Sequence, residues 1–263
     1  MKMRFLAVLV LCLAALVGAV ACSGGGGKAP NGMTAAEILT TSQTTTMNSM
    51  QFSATVESTM MDETFAMYMS GAIDEADRAM YMTMTSPDLD YTMQMYITDG
   101  WLYMIDPDYT EGWIKTRLTE DIWEQQNPTV QQMELMDDVL QAKYLGMENI
   151  GELNCYKIDV DPNWDAILGA TDMDETDYYS TEELIDMIKD TECVIWIAEG
   201  SYFPMQMFFS MTMEMDILGQ KYSIDMDMTM TFSNINQPVD ITLPSAALDA
   251  TEMSYDEFMA GDW

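Results

Sequence analysis

Apolar and polar residues alternate along most of this chain, and that alternation marks strands with one buried and one wetted face. The clearest run is Ile224, Met226, Met228, Met230 and Phe232, interleaved with Asp225, Asp227, Thr229, Thr231 and Ser233. Just before it, Phe203, Met205, Met207, Phe209, Met211, Met213, Met215 and Ile217 alternate through one strand of ~50 Å, at ~3.3 Å per residue. Earlier runs repeat the pattern. Phe52, Ala54, Val56 and Ser58 share a face, as do Phe65, Met67, Met69, Gly71 and Ile73. Met80, Met82 and Met84 alternate with Tyr81 and Thr83, and Met93, Met95 and Ile97 alternate with Thr92, Gln94 and Tyr96. Asp99-Gly100 then predicts a tight hairpin into Trp101–Ile105. Trp113-Ile114-Lys115 returns, and further strands are predicted at 143–146, 153–160 and 239–244.

Three stretches switch to the helical period. Thr34-Ala35-Ala36-Glu37 is a capping box that opens a helix ending near Asn48. Asn127-Pro128 starts a second, with Val130, Met133, Met136, Val139 and Leu140 as its apolar stripe. An acidic insertion at about 162–190 carries a third, capped by Ser180-Thr181-Glu182-Glu183, with Leu184, Ile185 and Ile188 on one side. Ser254-Tyr255-Asp256-Glu257 caps a small terminal helix. Long strands joined by short turns must be antiparallel, and a large twisted sheet curls around what covers it. The expected class is α+β, mainly β: an open, strongly curved antiparallel half-barrel with helices on its concave face. The expected divisions are a signal peptide over 1–21, a lipidated Cys and Gly-rich tether over 22–33, and a single domain over 34–263.

Composition narrows the partners. The chain has 44 acidic and 10 basic residues, a formal charge of −34. Nucleic acid is excluded, because phosphate neutralisation needs clustered Lys and Arg. Adsorption to an anionic bilayer is disfavoured for the same reason. Hydrophobic residues make up 48% of the chain, enough to set it apart from acidic disordered segments.

The N-terminus supplies a different membrane link. Met1-Lys2-Met3-Arg4 precedes an apolar run from Phe5 to Ala21, and Ala19-Val20-Ala21-Cys22 ends it before Ser23 and four glycines. This has the order of a bacterial lipoprotein signal, with Cys22 as the lipid-carrying first residue of the mature chain. A soluble secretory cleavage and an uncleaved anchor are the alternatives. The other cysteines are Cys12 in the signal and Cys155 and Cys193, an even pair in an oxidising compartment that is expected to form a disulfide between strands.

Catalytic chemistry finds little to stand on. There is no His, no Gly-x-Ser-x-Gly elbow and no phosphate loop. Asp172, Asp174, Thr176 and Glu183 fall at calcium-loop spacings, but Asp177 stands where that loop needs Gly. They read as a solvated acidic loop. No cofactor and no metal are expected. The 30 methionines admit three roles: flexible core filler, a cavity that repacks around apolar ligands, or thioether capture of Cu(I).

The order of motifs resembles a known group. A helix like Ala36-Glu37-Ile38-Leu39 follows the tether. Then come Met50-Gln51-Phe52-Ser53, Trp113-Ile114-Lys115, Tyr144-Leu145-Gly146-Met147-Glu148, Cys155-Tyr156-Lys157-Ile158 and Ile235–Pro244. Together they resemble bacterial envelope lipoproteins related to the LolA/LolB carriers and the mycobacterial LppX/LprG group. That resemblance implies a half-barrel holding a lipid or acyl chain between sheet and helices. The lining residues would be Met67, Met69, Met82, Met95, Met207, Phe209, Met211, Met226, Met228 and Met230. Trp101 and Trp113 would stand at the rim, where their N–H groups find polar partners. A non-enzymatic lipid-binding lipoprotein is the expected function. A ligand-free structural or protein-interaction lipoprotein is the alternative, and a Cu(I) scavenger is the third reading. Metabolic labelling with a fatty-acid analogue is expected to mark the mature protein, and Cys22→Ser to abolish the label; an unlabelled, freely released product would exclude the anchor.

Overall fold

A computed structural model describes residues 27–61, 63–107, 110–120, 123, 141–162, 164, 181–217, 220–254 and 257. The signal, Cys22, the helix expected at 128–141 and most of the acidic insertion lie outside them. Twelve strands are hydrogen-bonded in the order β12-β6-β5-β4-β3-β2-β1-β11-β10-β9-β8-β7. In chain order they are β1 (Ser49–Met60), β2 (Glu63–Asp74), β3 (Ala79–Ser86), β4 (Tyr91–Thr98), β5 (Trp101–Ile105), β6 (Ile114–Arg117), β7 (Gln141–Ile150), β8 (Leu153–Asp161), β9 (Ile188–Ala198), β10 (Pro204–Ile217), β11 (Gln220–Ser233) and β12 (Thr251–Glu252). Helices α1 (Ala35–Gln43) and α2 (Thr181–Met187) complete the described elements of length. The fold is therefore mainly β, an open antiparallel sheet, as the alternation predicts. Its parallel pair is β12 with β6, where Thr251 faces Ile114 and Glu252 faces Lys115.

The Cα positions group into two compact units. The first takes in Ser58–Thr64 and the described parts of Met1–Thr46 and Gln125–Thr229. Its helix α1 begins with the predicted capping box. The Thr34 hydroxyl accepts from the Glu37 N–H at 3.2 Å, and the Glu37 carboxylate accepts from the Thr34 N–H at 2.7 Å. These bonds hold the Glu37 carboxyl below the usual range. The helix stops at Gln43, short of Asn48. Thr41, Thr44 and Thr45 turn their hydroxyls back onto the carbonyls of Glu37, Thr40 and Thr41, and such β-branched, back-bonding residues weaken helix propagation. Buried Ile38 and Leu39 lie on this helix, which packs against β7 and β9, while α2 packs against β9 and β10.

Two boundaries in this unit differ from expectation. Ile188 was grouped with a helical stripe, but it opens β9 and pairs with Met213 of β10. The alternation groups Met205 with Met207, but a register shift between Pro204 and Gln206 puts it against the cluster of Cys155, Val194, Trp196 and Ala198 on the opposite face. A further bulge at Tyr144/Gly146 of β7 uses a Gly at φ +140°, a conformation other residues rarely adopt.

The second unit takes in Met47–Glu57 and the described parts of Phe65–Glu124 and Met230–Trp263. Its strands β2 to β6 form successive antiparallel pairs. Asp99 and Gly100 take φ of 52° and 75°, the left-handed pair required by a two-residue hairpin. Gly71 is also required. A Cβ there would fall 2.4 Å from the Phe52 ring and from the Tyr81 carbonyl oxygen. Residues 239–244, expected as the last strand, run outside strand structure; Pro238 before them and Pro244 at their end cannot donate to a ladder. Ser254 and Glu257 do make their predicted reciprocal cap, at 3.3 and 2.9 Å.

The expected disulfide is absent: Cys155 and Cys193 are both free and buried. They do lie on neighbouring strands. However, Cys155 faces Ala198 and Asp159 faces Val194, so the two cysteines are five residues out of register and on opposite faces. Five residues amount to roughly 16 Å along a strand, beyond the ~7 Å Cα limit for a bridge. Burial pushes the Cys193 thiol up to about 12 and raises that of Cys155. Two consequences are expected. A thiol reagent should find nothing in the native protein at neutral pH and two groups in the denatured, unreduced chain trimmed to begin after Cys22. The Cys193 contribution to stability should be complete below pH ~9, where the unfolded thiol is still protonated. It should then fall as pH rises towards 12, because the unfolded chain ionises first. A native titration of either thiol near pH 8 would contradict this.

Candidate functional site

The ten residues expected to line a cavity are all buried. In the first unit, Met207 faces Ile195 and Phe209 faces Cys193 across β10 and β9, so Met207, Phe209 and Met211 share one face. Tyr156 and Ile158 of β8 continue that face through Ile197 and Ile195. Met226 and Met228 of β11 are buried to 1% and 0% exposure, while their neighbours Asp225 and Asp227 are exposed. The Trp164 ring packs edge-on against Phe209, with centroids 5.9 Å apart. The start of the acidic insertion thus touches the methionine face.

In the second unit the methionines form cross-strand ladders. Met69, Met84 and Met93 are successive partners across β2, β3 and β4. Met82, Met95 and Met104 are successive partners across β3, β4 and β5. Met67 and Met230 are also buried. Thioether side chains with several rotatable bonds fill such a face without the fixed shape that β-branched residues impose.

Trp101 and Trp113 do not stand at the rim of these faces. The strand period puts Trp101 and Tyr103 opposite to Leu102 and Met104, and Trp101 pairs with Arg117. Both Trp rings pack beside buried Tyr103, Ala247 and Ala250 on the face away from the methionines. A cavity of about 660 Å³ in this unit is lined by Asp74, Asp77, Arg78, Asp99 and Glu120, with Val239 and Ile241 at its side. Arg78 makes a bidentate pair with Glu120 at 2.6 and 2.7 Å. None of the ten expected lining residues contributes to it. Among the described residues no group of three or more His, Cys, Asp or Glu could hold a metal, and no helix is long and apolar enough to cross a membrane.

The last residues of the expected tether make contacts of their own. Ala29 is buried, and its N–H donates to Met33 O while its own carbonyl accepts from Gly32 N–H, both at 2.8 Å. The Asn31 amide donates to Tyr156 Oη at 3.0 Å and lies 3.3 Å from Tyr202 Oη. The two rings stack at 6.2 Å, and Tyr144 meets Tyr156 edge-on. Burial, then the neighbouring Tyr202 and Glu199, raises the Tyr156 phenol above its ordinary value, so it stays a neutral hydrogen-bonding group. Residues 29–33 are therefore docked to the first unit. The dock rests on long-range tyrosine partners, which no local pattern in the tether announces.

Comparison with known proteins adds the following. A model for a family of unknown function, DUF6612, matches residues 166–252, about a third of the chain. No curated protein matches. Among solved structures the chain is similar to lipoprotein LppX of Mycobacterium tuberculosis, at 13% identity and TM-score 0.42, over 74% of this chain and 90% of that one. It is similar to LprF of Mycobacterium bovis, at 12% identity and TM-score 0.42, over 78% and 92%. It is also similar to a LolA superfamily protein of Nitrosomonas europaea, at 13% identity and TM-score 0.29, over 81% and 96%.

Asn31→Ala is expected to reduce stability by about 1 kcal/mol, one net hydrogen bond, and to speed tryptic cleavage after Lys28. Unchanged cleavage would show that the dock does not hold residues 29–33.

Proposed function

We propose that the protein is a non-enzymatic, lipid-anchored extracytoplasmic protein that holds a lipid or another apolar ligand against its methionine faces. The observation that carries this reading is the burial of all ten Met and Phe positions on strand faces dominated by methionine. Rigid cores are ordinarily filled by Leu, Ile and Val in defined rotamers. A face dominated by Met instead exchanges shape for adaptability, which suits ligands of variable chain length. The signal ending at Cys22 supports placement outside the cytoplasm and a covalent lipid anchor. The resemblance to the LolA/LolB and LppX/LprG group supports the class of ligand.

Two features favour binding over catalysis. The whole sequence lacks His, and Cys155 and Cys193 are buried thiols with raised pKa values, far from the thiolate character a nucleophile needs.

The test is native mass spectrometry of mature protein purified without detergent, followed by organic extraction. A lipid-sized adduct recovered in the extract is the expected result. Replacing Met207, Met211 and Met228 with Leu conserves volume and is expected to lower occupancy while the circular dichroism spectrum is retained. A clean apo mass under loading with phospholipid would sink the reading. A Cu(I) adduct in its place would assign the methionines to metal capture.

A further inference from the structure

The dock at residues 29–33 fixes where the N-terminal chain meets the first unit. Asn31 reaches Tyr156 and Tyr202, and Tyr202 Oη lies 3.4 Å from Met33 Sδ. Tyr202 belongs to the turn between β9 and β10. It holds a left-handed φ of 59°, and its N–H donates to Ala198 O at 3.0 Å. The turn between β7 and β8 stands at the same end. There the Glu199 N–H donates to Asn154 O at 2.8 Å, and the Asn154 amide donates to the Glu199 carboxylate at 2.8 Å. Two strand turns and the dock are thus gathered at one end of the unit. From this end β9, 11 residues over Ile188–Ala198, runs roughly 33 Å away. At its far end Ile188 faces Met213 of β10, and exposed Glu214 follows.

Chain length then limits how far this end can stand from a membrane. From Cys22 to Ala29 the backbone spans at most ~25 Å, whatever its conformation. A lipid on Cys22 therefore holds the dock closer to the bilayer than the length of β9. The docked end also presents an apolar side chain. Leu153 opens β8 opposite Ile150 and is 47% exposed, while Cys155, Tyr156, Ile158 and Val160 further along the strand are buried. Glu152 and Glu199 beside it are exposed. Their carboxylates accept from the ammonium groups of zwitterionic headgroups and are repelled by anionic lipid. One leucine cannot hold a protein on a bilayer when even a single acyl chain binds only marginally, so the short tether has to supply the orientation.

We infer that the end of the first unit formed by the β7–β8 and β9–β10 turns is its membrane-facing surface, with Leu153 laid against zwitterionic lipid and β8, β9 and β10 leading away from the bilayer. This orientation rests on the lipid anchor proposed above. The test places an environment-sensitive label on Leu153→Cys or on Glu214→Cys in the full, lipidated protein. Only the introduced thiol reacts, because Cys155 and Cys193 are buried and the lipid occupies the Cys22 sulfur. Each labelled protein is reconstituted into phosphatidylcholine vesicles that carry a quencher on the lipid headgroup. The L153C label is expected to lose most of its fluorescence and the E214C label little. A Gly/Ser insertion after Ser23 lengthens the tether without touching the folded unit and is expected to restore most of the L153C signal. Protein that does not float with the vesicles would remove the anchor, and the orientation with it. Protein that floats but shows equal quenching at the two positions would overturn the orientation and leave the anchor standing. Undiminished L153C quenching in the lengthened chain would show that the tether does not orient the unit, and would overturn the inference too.

Discussion

The two-residue repeat of the extended backbone controls the architecture of both units. Successive side chains leave a strand on opposite sides, so every position commits to one face. Cross-strand partners then reinforce that choice. Met82 meets Met95 and Met95 meets Met104 on one side, while Tyr81 meets Tyr96 and Tyr103 meets Lys115 on the other. A slip of one residue would bring Tyr, Thr and Lys into the methionine layer. Register is therefore held by burial on one face. The bulges at Gly146 and between Pro204 and Gln206 absorb the extra residues without inverting the rest.

The same constraint explains why neither face is simply polar. In the first unit Cys155, Val194, Trp196 and Ala198 form a small cluster with Ile150, Met205 and Phe208, opposite to Met207 and Phe209. Glu148 closes its edge, accepting from the Trp196 indole at 3.2 Å and pairing with Lys157 at 3.0 Å. Those contacts, Lys157 first, depress the Glu148 carboxyl. In the second unit the C-terminal segment plays the corresponding role over Tyr103. Each cysteine is thus an apolar filler on its own face, which is why the two thiols never meet.

Much of this was legible before any coordinates. The alternation identified nearly every strand, because burial on one face leaves a period that no helix or loop produces. The Thr34 capping box and the Asp99-Gly100 hairpin were legible because each is a local device with few residue solutions. What escaped has a physical reason in each case. An even cysteine count says nothing about register, so the pairing of 155 with 193 failed on a five-residue offset. The Trp101 and Trp113 positions were assigned from the chemistry of the indole N–H rather than from strand parity, and parity puts Trp101 on the other side. Val239–Leu243 has the composition of a strand but lies between two prolines. The dock at Ala29–Met33 depends on Tyr156 and Tyr202, more than a hundred residues away, and leaves no local trace.

Among the described residues α1 and α2 pack chiefly on β7, β9 and β10, so other parts of the sheet take cover from other segments. Trp164 on Phe209 and Ala247 with Ala250 on Tyr103 are two such covers. They differ in kind from a packed core. The C-terminal cover is tied to the sheet by only the short pairing of Thr251 and Glu252 with β6, and so limited a ladder opens at lower free energy than the long strands beneath it. Surfaces under such segments are where an apolar ligand can displace protein contacts instead of competing with a hydrogen-bonded scaffold. Methionine beneath the cover makes the exchange easier, because its rotamers adjust to either occupant. On the function proposed above, a register-locked sheet with loosely secured covers needs no preformed hole, and the proposed site lies on the methionine faces rather than in the polar cleft around Arg78 and Glu120.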